Sequence, residues 1–274
     1  MEIARNGSRH SVTPVLQYSG RGIHTRMDIL TLENVSKNFG GIKALDAVSF
    51  SATEKEVVGI IGLNGSGKTT AVNIISGFIR PDSGRIRFKD QEITGFPPHK
   101  IATLGIARTF QTARPFHNLP AFKNLIVPLY SARIRKFTES GRWGDRDAVA
   151  LDLLEEVGFE RDSSVPYKPA SALPHGYLRK LELARCLALR PDLLITDELF
   201  SGLSTSEVGS MVPLIEKLQQ RGMTIIMVEH RLRELFRLAN KVVVMDRGRK
   251  IAEGAPAEIV ENSAVKETYL GAEI

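Results

Sequence analysis

The stretch Gly62-Leu63-Asn64-Gly65-Ser66-Gly67-Lys68-Thr69 decides how this chain is read. It fits the spacing G-x-x-x-x-G-K-[S/T] of a phosphate-binding loop. Before it stands Val57-Val58-Gly59-Ile60-Ile61, a short β-branched run that reads as a buried strand. Residues 69–79 follow and read as a helix. Strand, glycine loop and helix form the context in which this spacing has a mechanism. Glycines let successive N–H groups turn inward, where they meet a phosphate at the positive end of the helix. Lys68 adds a mobile charge for the β- and γ-phosphates, and the Thr69 hydroxyl is placed to ligate Mg²⁺. Gly62, Asn64, Gly65, Ser66, Gly67, Lys68, Thr69 and Thr70 are the candidate nucleotide-binding residues.

The chain around this loop has 274 residues, enough for one large α/β domain or a domain with a subdomain. Apolar residues make up 42% and charged residues 25%, as in an ordinary soluble domain. Its apolar runs are short and interrupted, so no segment spans a bilayer. Work at a membrane would need spans supplied by other chains. The single cysteine, Cys186, leaves no internal disulfide to form, which fits a reducing cytosol. The net charge of +6 suggests a nucleic-acid partner, but half of it sits in residues 1–26. There Arg5, Arg9, Arg21 and Arg26 face Glu2 alone, and the body carries no basic stripe interleaved with aromatics. No nucleic-acid partner is expected.

Residues 1–26 read as an extension of the reading frame ahead of a start at Met27. The rival reading is a disordered basic arm that touches lipid or a partner. Residues 28–32 read as the first strand, and Phe39 lies just beyond it, beside Gly40-Gly41. An exposed aromatic there can stack on a nucleotide base, and a core phenylalanine at a strand end is the alternative. Strands are expected at 48–52 and 85–88, a turn at 81–84 and a short helix at 98–104. Residues 106–111 read as a short strand ending in Gln111, whose carbonyl can ligate Mg²⁺ and which can also touch the attacking water. A loop is expected over 112–118 and a helical region over 120–158, broken near Trp143. Ala148, Leu151, Leu154 and Val157 recur there at helical spacing. Leu173-Pro174-His175-Gly176-Tyr177 leads into an amphipathic helix over 177–189, ended by Arg190-Pro191.

Leu193-Leu194-Ile195-Thr196-Asp197-Glu198 is a buried strand ending in two acids. A carboxylate at such a strand tip, next to a phosphate loop, can hold Mg²⁺ through water, and a second one can polarise the attacking water. Asp197 is therefore the metal candidate and Glu198 the candidate general base. Residues 224–228 form another buried strand, ended by Glu229-His230. Ligands of open α/β sheets lie at the carboxyl ends of strands, so His230 can reach the γ-phosphate or the water. Residues 241–245 and 250–252 read as a hairpin around Asp246-Arg247-Gly248, and two short helical patterns close the chain.

Phosphate loop, Gln111, the helix after Gly176, Asp197-Glu198 and His230 stand in the order of ATP-binding cassette (ABC) ATPases, and over residues 27–274 the chain resembles that superfamily. It looks most like the ATPase subunits of branched-chain (Leu/Ile/Val-type) amino-acid importers. The resemblance rests on Phe39-Gly40-Gly41, Lys43-Ala44, Ala107-Arg108-Thr109-Phe110-Gln111 and Arg185-Cys186-Leu187-Ala188. It rests also on Glu229-His230, Gly248-Arg249-Lys250-Ile251-Ala252-Glu253-Gly254 and Tyr269-Leu270-Gly271. The resemblance implies an α/β P-loop NTPase core with a mixed sheet, an antiparallel β subdomain and an α-helical subdomain near 112–177. It implies ATP and Mg²⁺ as cofactors, adenine stacked on Phe39, a metal site of Thr69, Gln111 and Asp197, and catalysis by Glu198, His230 and Gln111. It further implies a second ATPase subunit, two transmembrane permease subunits and, indirectly, a periplasmic or extracellular solute-binding protein. The place of action would be the cytoplasmic face of the inner membrane.

In that family two subunits sandwich two ATP molecules head to tail, and Leu-Ser-x-Gly-Gln of one caps the γ-phosphate held by the other. The present chain departs there. Pro174 stands at the serine position and Tyr177 at the glutamine position. Pro174 has neither hydroxyl nor N–H, so two possible γ-phosphate donors are lost, while Gly176 keeps close backbone approach possible beside His175. Leu199 replaces a proline, and Ser204 stands where Asp or Asn is common. An asymmetric heterodimer is expected, in which this chain's phosphate loop is capped by an intact partner. Two rivals are an ABC-type ATPase acting on nucleic acid or ribosomes, and a weakly hydrolysing regulatory subunit. The absence of a second cassette in the sequence speaks against the former. Intact Lys68, Asp197, Glu198 and His230 speak against the latter.

Overall fold

The computed structural model describes residues 27–111, 114–138 and 145–269. The extension expected at 1–26, the start of the loop at 112, the break around Trp143 and the terminal Leu270-Gly271 lie outside the described residues. The chain opens with β1 (Asp28–Phe39), β2 (Ile42–Thr53), β3 (Val57–Gly62) and α1 (Lys68–Ile75). It continues with β4 (Ser83–Phe88), β5 (Gln91–Glu92), α2 (Pro98–Leu104) and β6 (Ile106–Arg108). Helices α3 (Ile126–Leu129), α4 (Ala132–Thr138), α5 (Arg146–Glu156) and α6 (His175–Leu187) follow without an intervening strand among the described residues. Then come β7 (Leu193–Asp197), α7 (Thr205–Gln220), β8 (Thr224–Val228), α8 (Leu232–Leu238), β9 (Lys241–Asp246) and β10 (Arg249–Gly254). Two short helices, α9 (Pro256–Glu261) and α10 (Ser263–Tyr269), end the described chain.

Two sheets organise these elements. A mixed sheet runs in the order β10-β9-β3-β8-β7-β6, and an antiparallel sheet in the order β2-β1-β4-β5. In the mixed sheet β3, β6, β7, β8 and β9 are mutually parallel neighbours, and β10 is antiparallel to β9. Buried parallel strands carry apolar side chains on both faces, and here the faces separate cleanly. Val57 and Ile61 of β3 join Leu194, Ile225, Val242 and Val244 against the helices. Val58 and Ile60 join Ile195, Ile226, Val228 and Val243 on the side of the antiparallel sheet and α1. Full burial of each such side chain is worth about 1.5–3 kcal/mol. The mixed sheet is therefore the rigid centre, and the carboxyl ends of its strands carry the chemistry.

Several local expectations need correction. The helix read over 69–79 spans only Lys68–Ile75. The Ser76 hydroxyl donates back to Val72 O, and Gly77 turns left-handed with φ 77°. A Cβ at Gly77 would lie 2.3 Å from Phe96 O, so the chain must leave the helix there. The strand read over 106–111 stops at Arg108, because Phe110 N and the Phe110 and Gln111 carbonyls are taken by side chains of α6 rather than by a ladder. On α5 the buried stripe is Ala150, Leu153 and Leu154, while Ala148 and Leu151 are half-buried. The helix read from residue 177 starts at His175. α7 was legible but unread: Ser204 and Glu207 form a capping box, the Ser-x-x-Glu pattern of a helix start.

Candidate active site

The phosphate loop connects β3 to α1 at the carboxyl edge of the mixed sheet. Gly67, with φ 103°, caps α1 without a side-chain hydrogen bond, so the first N–H groups of the helix face the cleft. A Cβ at Gly67 would sit 2.6 Å from Ala44 O, which explains the glycine on packing grounds as well. Asn64, Gly65 and Thr69 are exposed, and Thr70 is half-buried. Ser66 is buried, with its Oγ lacking a partner. Lys68 is folded back, its Nζ donating to Gly62 O at 2.7 Å and Leu63 O at 3.0 Å. Burial pulls the Lys68 pKa below its ordinary value, and the charges of Glu198 and Asp197 offset part of that. A cleft of about 400 Å³ opens here, lined by Ile42, Asn64, Lys68, Thr69, Glu198 and His230 among others. That size suits a small ligand.

The acids stand at the tip of β7. Asp197 is buried and accepts Arg108 Nη2 at 2.7 Å. Glu198 lies past the strand with φ 52°, its N–H donating to Val228 O at 2.8 Å. This bend swings its carboxylate toward the cleft. Gln111 Nε2 donates to Glu198 Oε2 at 2.8 Å, and His230 Nε2 is 3.0 Å from Glu198 Oε1. Gln111 and His230, beyond the ends of β6 and β8, thus converge on the one carboxylate of Glu198 beside the loop. The Arg108–Asp197 pair is 6% and 5% exposed. Removing one partner of such a pair costs roughly 3–5 kcal/mol, because the other is left as an uncompensated buried charge.

Sequence reasoning missed the residues that hold this constellation. Arg179 of α6 donates Nη1 to Phe110 O at 3.0 Å and Nη2 to Gln111 O at 2.7 Å and to Ser201 O at 3.3 Å. Glu182, one turn along, accepts Phe110 N at 2.5 Å. The Gln111 segment therefore hangs from α6, and the loop after Glu198 is tied to the same guanidinium. The i, i+3 pair of opposite charges on an otherwise apolar helix face was the available signal.

Glu229 is buried and accepts the N–H of Phe200 at 3.1 Å. Burial pushes its carboxyl up to about 8, against the pull of the Phe200 and Leu199 N–H groups, and the charge of Glu198 adds to the push. Leu199 supplies an N–H that proline at this position would lack. A carboxyl with a raised folded pKa binds its proton more tightly folded than unfolded. Stability therefore falls as pH climbs from the ordinary carboxyl range toward 8. Glu229→Gln keeps an acceptor and cannot ionise. Its Tm relative to the wild type should be about 3 °C higher near pH 8.5 than near pH 5.5, read by calorimetry. A difference independent of pH would contradict this.

The structure places the other predicted residues apart from the cleft lining. Phe39 is 45% exposed at the β1–β2 hairpin, with Lys37 Nζ 5.6 Å from its ring centre, and Ile42 from the same hairpin lines the cleft. Pro174 caps α6 without a side-chain hydrogen bond, and His175 and Gly176 begin that helix. These three do not line the cleft. Glu207 of α7 takes hydrogen bonds from the Ser204 N–H and hydroxyl, and these, with a smaller pull from the neighbouring Gly176 N–H, hold its carboxyl below the usual range. The start of α6 thus already presents one of its N–H groups to an anion of its own chain.

The ABC transporter family model matches residues 45–201, more than half of the chain, from β2 through the loop after Glu198. The chain belongs to the ABC transporter family. A second model, described as branched-chain amino acid ATP-binding cassette transporter, matches residues 249–274. The chain is 36% identical over 252 residues to the high-affinity branched-chain amino acid transport ATP-binding protein BraF of Pseudomonas aeruginosa, covering 89% of this chain and 98% of that protein. It is 33% identical over 254 residues to the corresponding protein LivG of Escherichia coli, covering 89% and 98%. Among solved structures, the ADP conformation of MJ1267, an ATP-binding cassette of an ABC transporter, superposes with a TM-score of 0.77 at 31% identity, covering 89% and 99%. The expected resemblance and fold hold: this ABC ATPase has the P-loop core, the antiparallel sheet and the helical region that the motifs implied. It binds ATP and hydrolyses it in the service of transport, as its family does. No described helix is long and apolar enough to cross a membrane, and ABC ATPase cassettes work with transmembrane permease subunits.

Proposed function

We propose that this ABC ATPase energises an importer of branched-chain amino acids from the cytoplasmic face of the inner membrane, bound there as a peripheral subunit. The observation that carries the reading is an intact hydrolytic constellation, Glu198 between Gln111 and His230, in a chain whose residues 249–274 match the branched-chain model. Relatives named for branched-chain amino acid transport support the same solute class. In this reading the phosphates of ATP lie on the loop from Gly62 to Thr70, with Phe39 and Ile42 toward the base. Gln111 turns Nε2 to Glu198, which leaves its Oε1 for a metal. Mg²⁺ prefers few protein donors alongside phosphate oxygens and water, and the Thr69 hydroxyl, Gln111 carbonyl and Asp197 carboxylate fit that preference. An ion held by these groups would supply charge neutralisation on the phosphates. Glu198 takes the proton of the attacking water, and His230 orients Glu198 and faces the γ-phosphate.

Two surfaces support the reading of its partners. An apolar groove of about 320 Å³ between α2, α3 and α6 is lined by Phe78, Ile101, Phe110, Val127 and Leu189 and suits a helical segment of a permease subunit. The start of α6, with Pro174, His175 and Gly176, is the face offered to a second ATPase subunit, and we read the pair as a heterodimer. A solute-binding protein outside the membrane would act through the permease, and nucleic acid has no part. The test is co-purification of the tagged chain, followed by ATPase assay with the recovered partners. Two multispan apolar chains should co-purify, and leucine-loaded binding protein should stimulate hydrolysis. Stimulation by RNA or ribosomes, with no permease recovered, would instead support the rival class.

A further inference from the structure

Arg108 ends β6 at the junction between the cleft and the apolar groove. Its guanidinium is buried and donates Nη2 to Asp197 Oδ2 at 2.7 Å, and Nη1 to Asn73 Oδ1 at 2.7 Å and Ser76 Oγ at 2.8 Å, both at the end of α1. Its Nε is buried without a partner, a donor forgone to keep this pose. On its other side the guanidinium lies 5.1 Å from the ring centre of Phe110 and 5.8 Å from that of Phe78. The two rings meet edge to face at 5.5 Å, and both line the groove. One planar cation therefore touches the metal-side acid, the end of the phosphate-binding helix and the groove wall.

We propose that Arg108 is a positioning residue that fixes Asp197 for the metal–nucleotide complex and makes that fixing depend on what fills the groove. The groove half rests on the permease reading given above. With its guanidinium clamp removed, Asp197 loses the partner that holds its carboxylate in place for the metal, while Lys68 stays on the Gly62 and Leu63 carbonyls. Lysine in place of arginine keeps the charge but cannot engage Asp197, Asn73 and Ser76 in one plane while stacking on two rings. Pressure on Phe78 and Phe110 from a docked helix tightens the guanidinium against Asp197.

The test is binding of a fluorescent ATP analogue to the purified full chain, titrated with Mn²⁺. Partners that orient metal ligands typically cost tenfold or more in metal affinity when removed. The half-saturating Mn²⁺ concentration should rise about tenfold in Arg108→Met and about threefold in Arg108→Lys. Metal-free binding of the analogue should stay within about twofold of wild type. Unchanged metal dependence in folded Arg108→Met overturns the proposal, and if that variant does not fold, the same result in Arg108→Lys overturns it. Equal losses with and without metal overturn it too, since they mean a general collapse of the cleft. Phe78→Ala should shift the Mn²⁺ dependence in the same direction, and the absence of a shift removes the groove half. Added permease should lower the Mn²⁺ requirement of wild type and leave Arg108→Lys unmoved, and equal lowering in both removes the groove half as well. If no permease binds wild type at all, the reading of function fails while the metal titration still decides the role of Arg108 toward Asp197.

Discussion

Glu198→Gln should leave ATP binding within about twofold of wild type and cut steady-state hydrolysis by about 10²–10⁴-fold, the range of a general base. The substitution keeps the size of the side chain and the left-handed bend that aims it, φ 52°. It keeps an acceptor for His230 or Gln111, which hold the two carboxylate oxygens at 3.0 and 2.8 Å. What it removes is the basic oxygen that takes the proton from water. The phosphate loop, Lys68 and the open start of α1 are untouched, so binding persists. Equilibrium binding with a labelled nucleotide and a phosphate-release assay read the two halves separately. Parallel loss of both would mean that Glu198 holds the cleft together rather than acting on water.

If the pair is the heterodimer proposed above, Pro174→Ser should accelerate the slower of its two sites. The site to watch is then the partner's phosphate loop, which this chain would cap. In a transporter carrying Glu198→Gln in this chain, residual hydrolysis comes from that site, and adding Pro174→Ser should raise it by about 10²-fold, the worth of one donor to a developing phosphoryl charge. Proline at the cap of α6 has neither N–H nor hydroxyl, and no side chain caps the helix start. Glu207, whose carboxyl lies beside Gly176, adds a like charge where the phosphate would approach. Ser204 and Glu207 fix each other as a capping box, so this carboxylate is held in place rather than free to swing away. An unchanged residual rate after Pro174→Ser would remove the asymmetry. A partner identical to this chain would remove the heterodimer.

The catalytic side of the site was legible because each of its residues ends an apolar run. Val57-Val58-Gly59-Ile60-Ile61 before the loop, residues 193–197 before Glu198 and residues 224–228 before His230 are each too apolar for a surface and too short for a helix. Each becomes a strand of the mixed sheet, so their ends meet at one edge. Gln111 was harder, since its strand is three residues long and its placement depends on Arg179 and Glu182, about seventy residues away in sequence. Arg108 and Glu229 were hidden for the same reason. An arginine within a short strand and a glutamate beside a histidine read as solvated until tertiary packing buries them against Asp197 and Phe200. The helix read over 69–79 overran the end of α1 because apolar residues continue to Phe78 and Ile79, whereas the close approach of Phe96 O at Gly77 ends it.

The central claim, that this chain's cleft drives amino-acid import, is tested most directly by uptake. The chain and its permease partners are placed in proteoliposomes with ATP on the side of the ATPase, labelled leucine and binding protein on the other. The account predicts ATP-dependent leucine accumulation with wild type, and none above the ATP-free background with Glu198→Gln. Accumulation that proceeds equally with Glu198→Gln, or that does not require this chain, would contradict it.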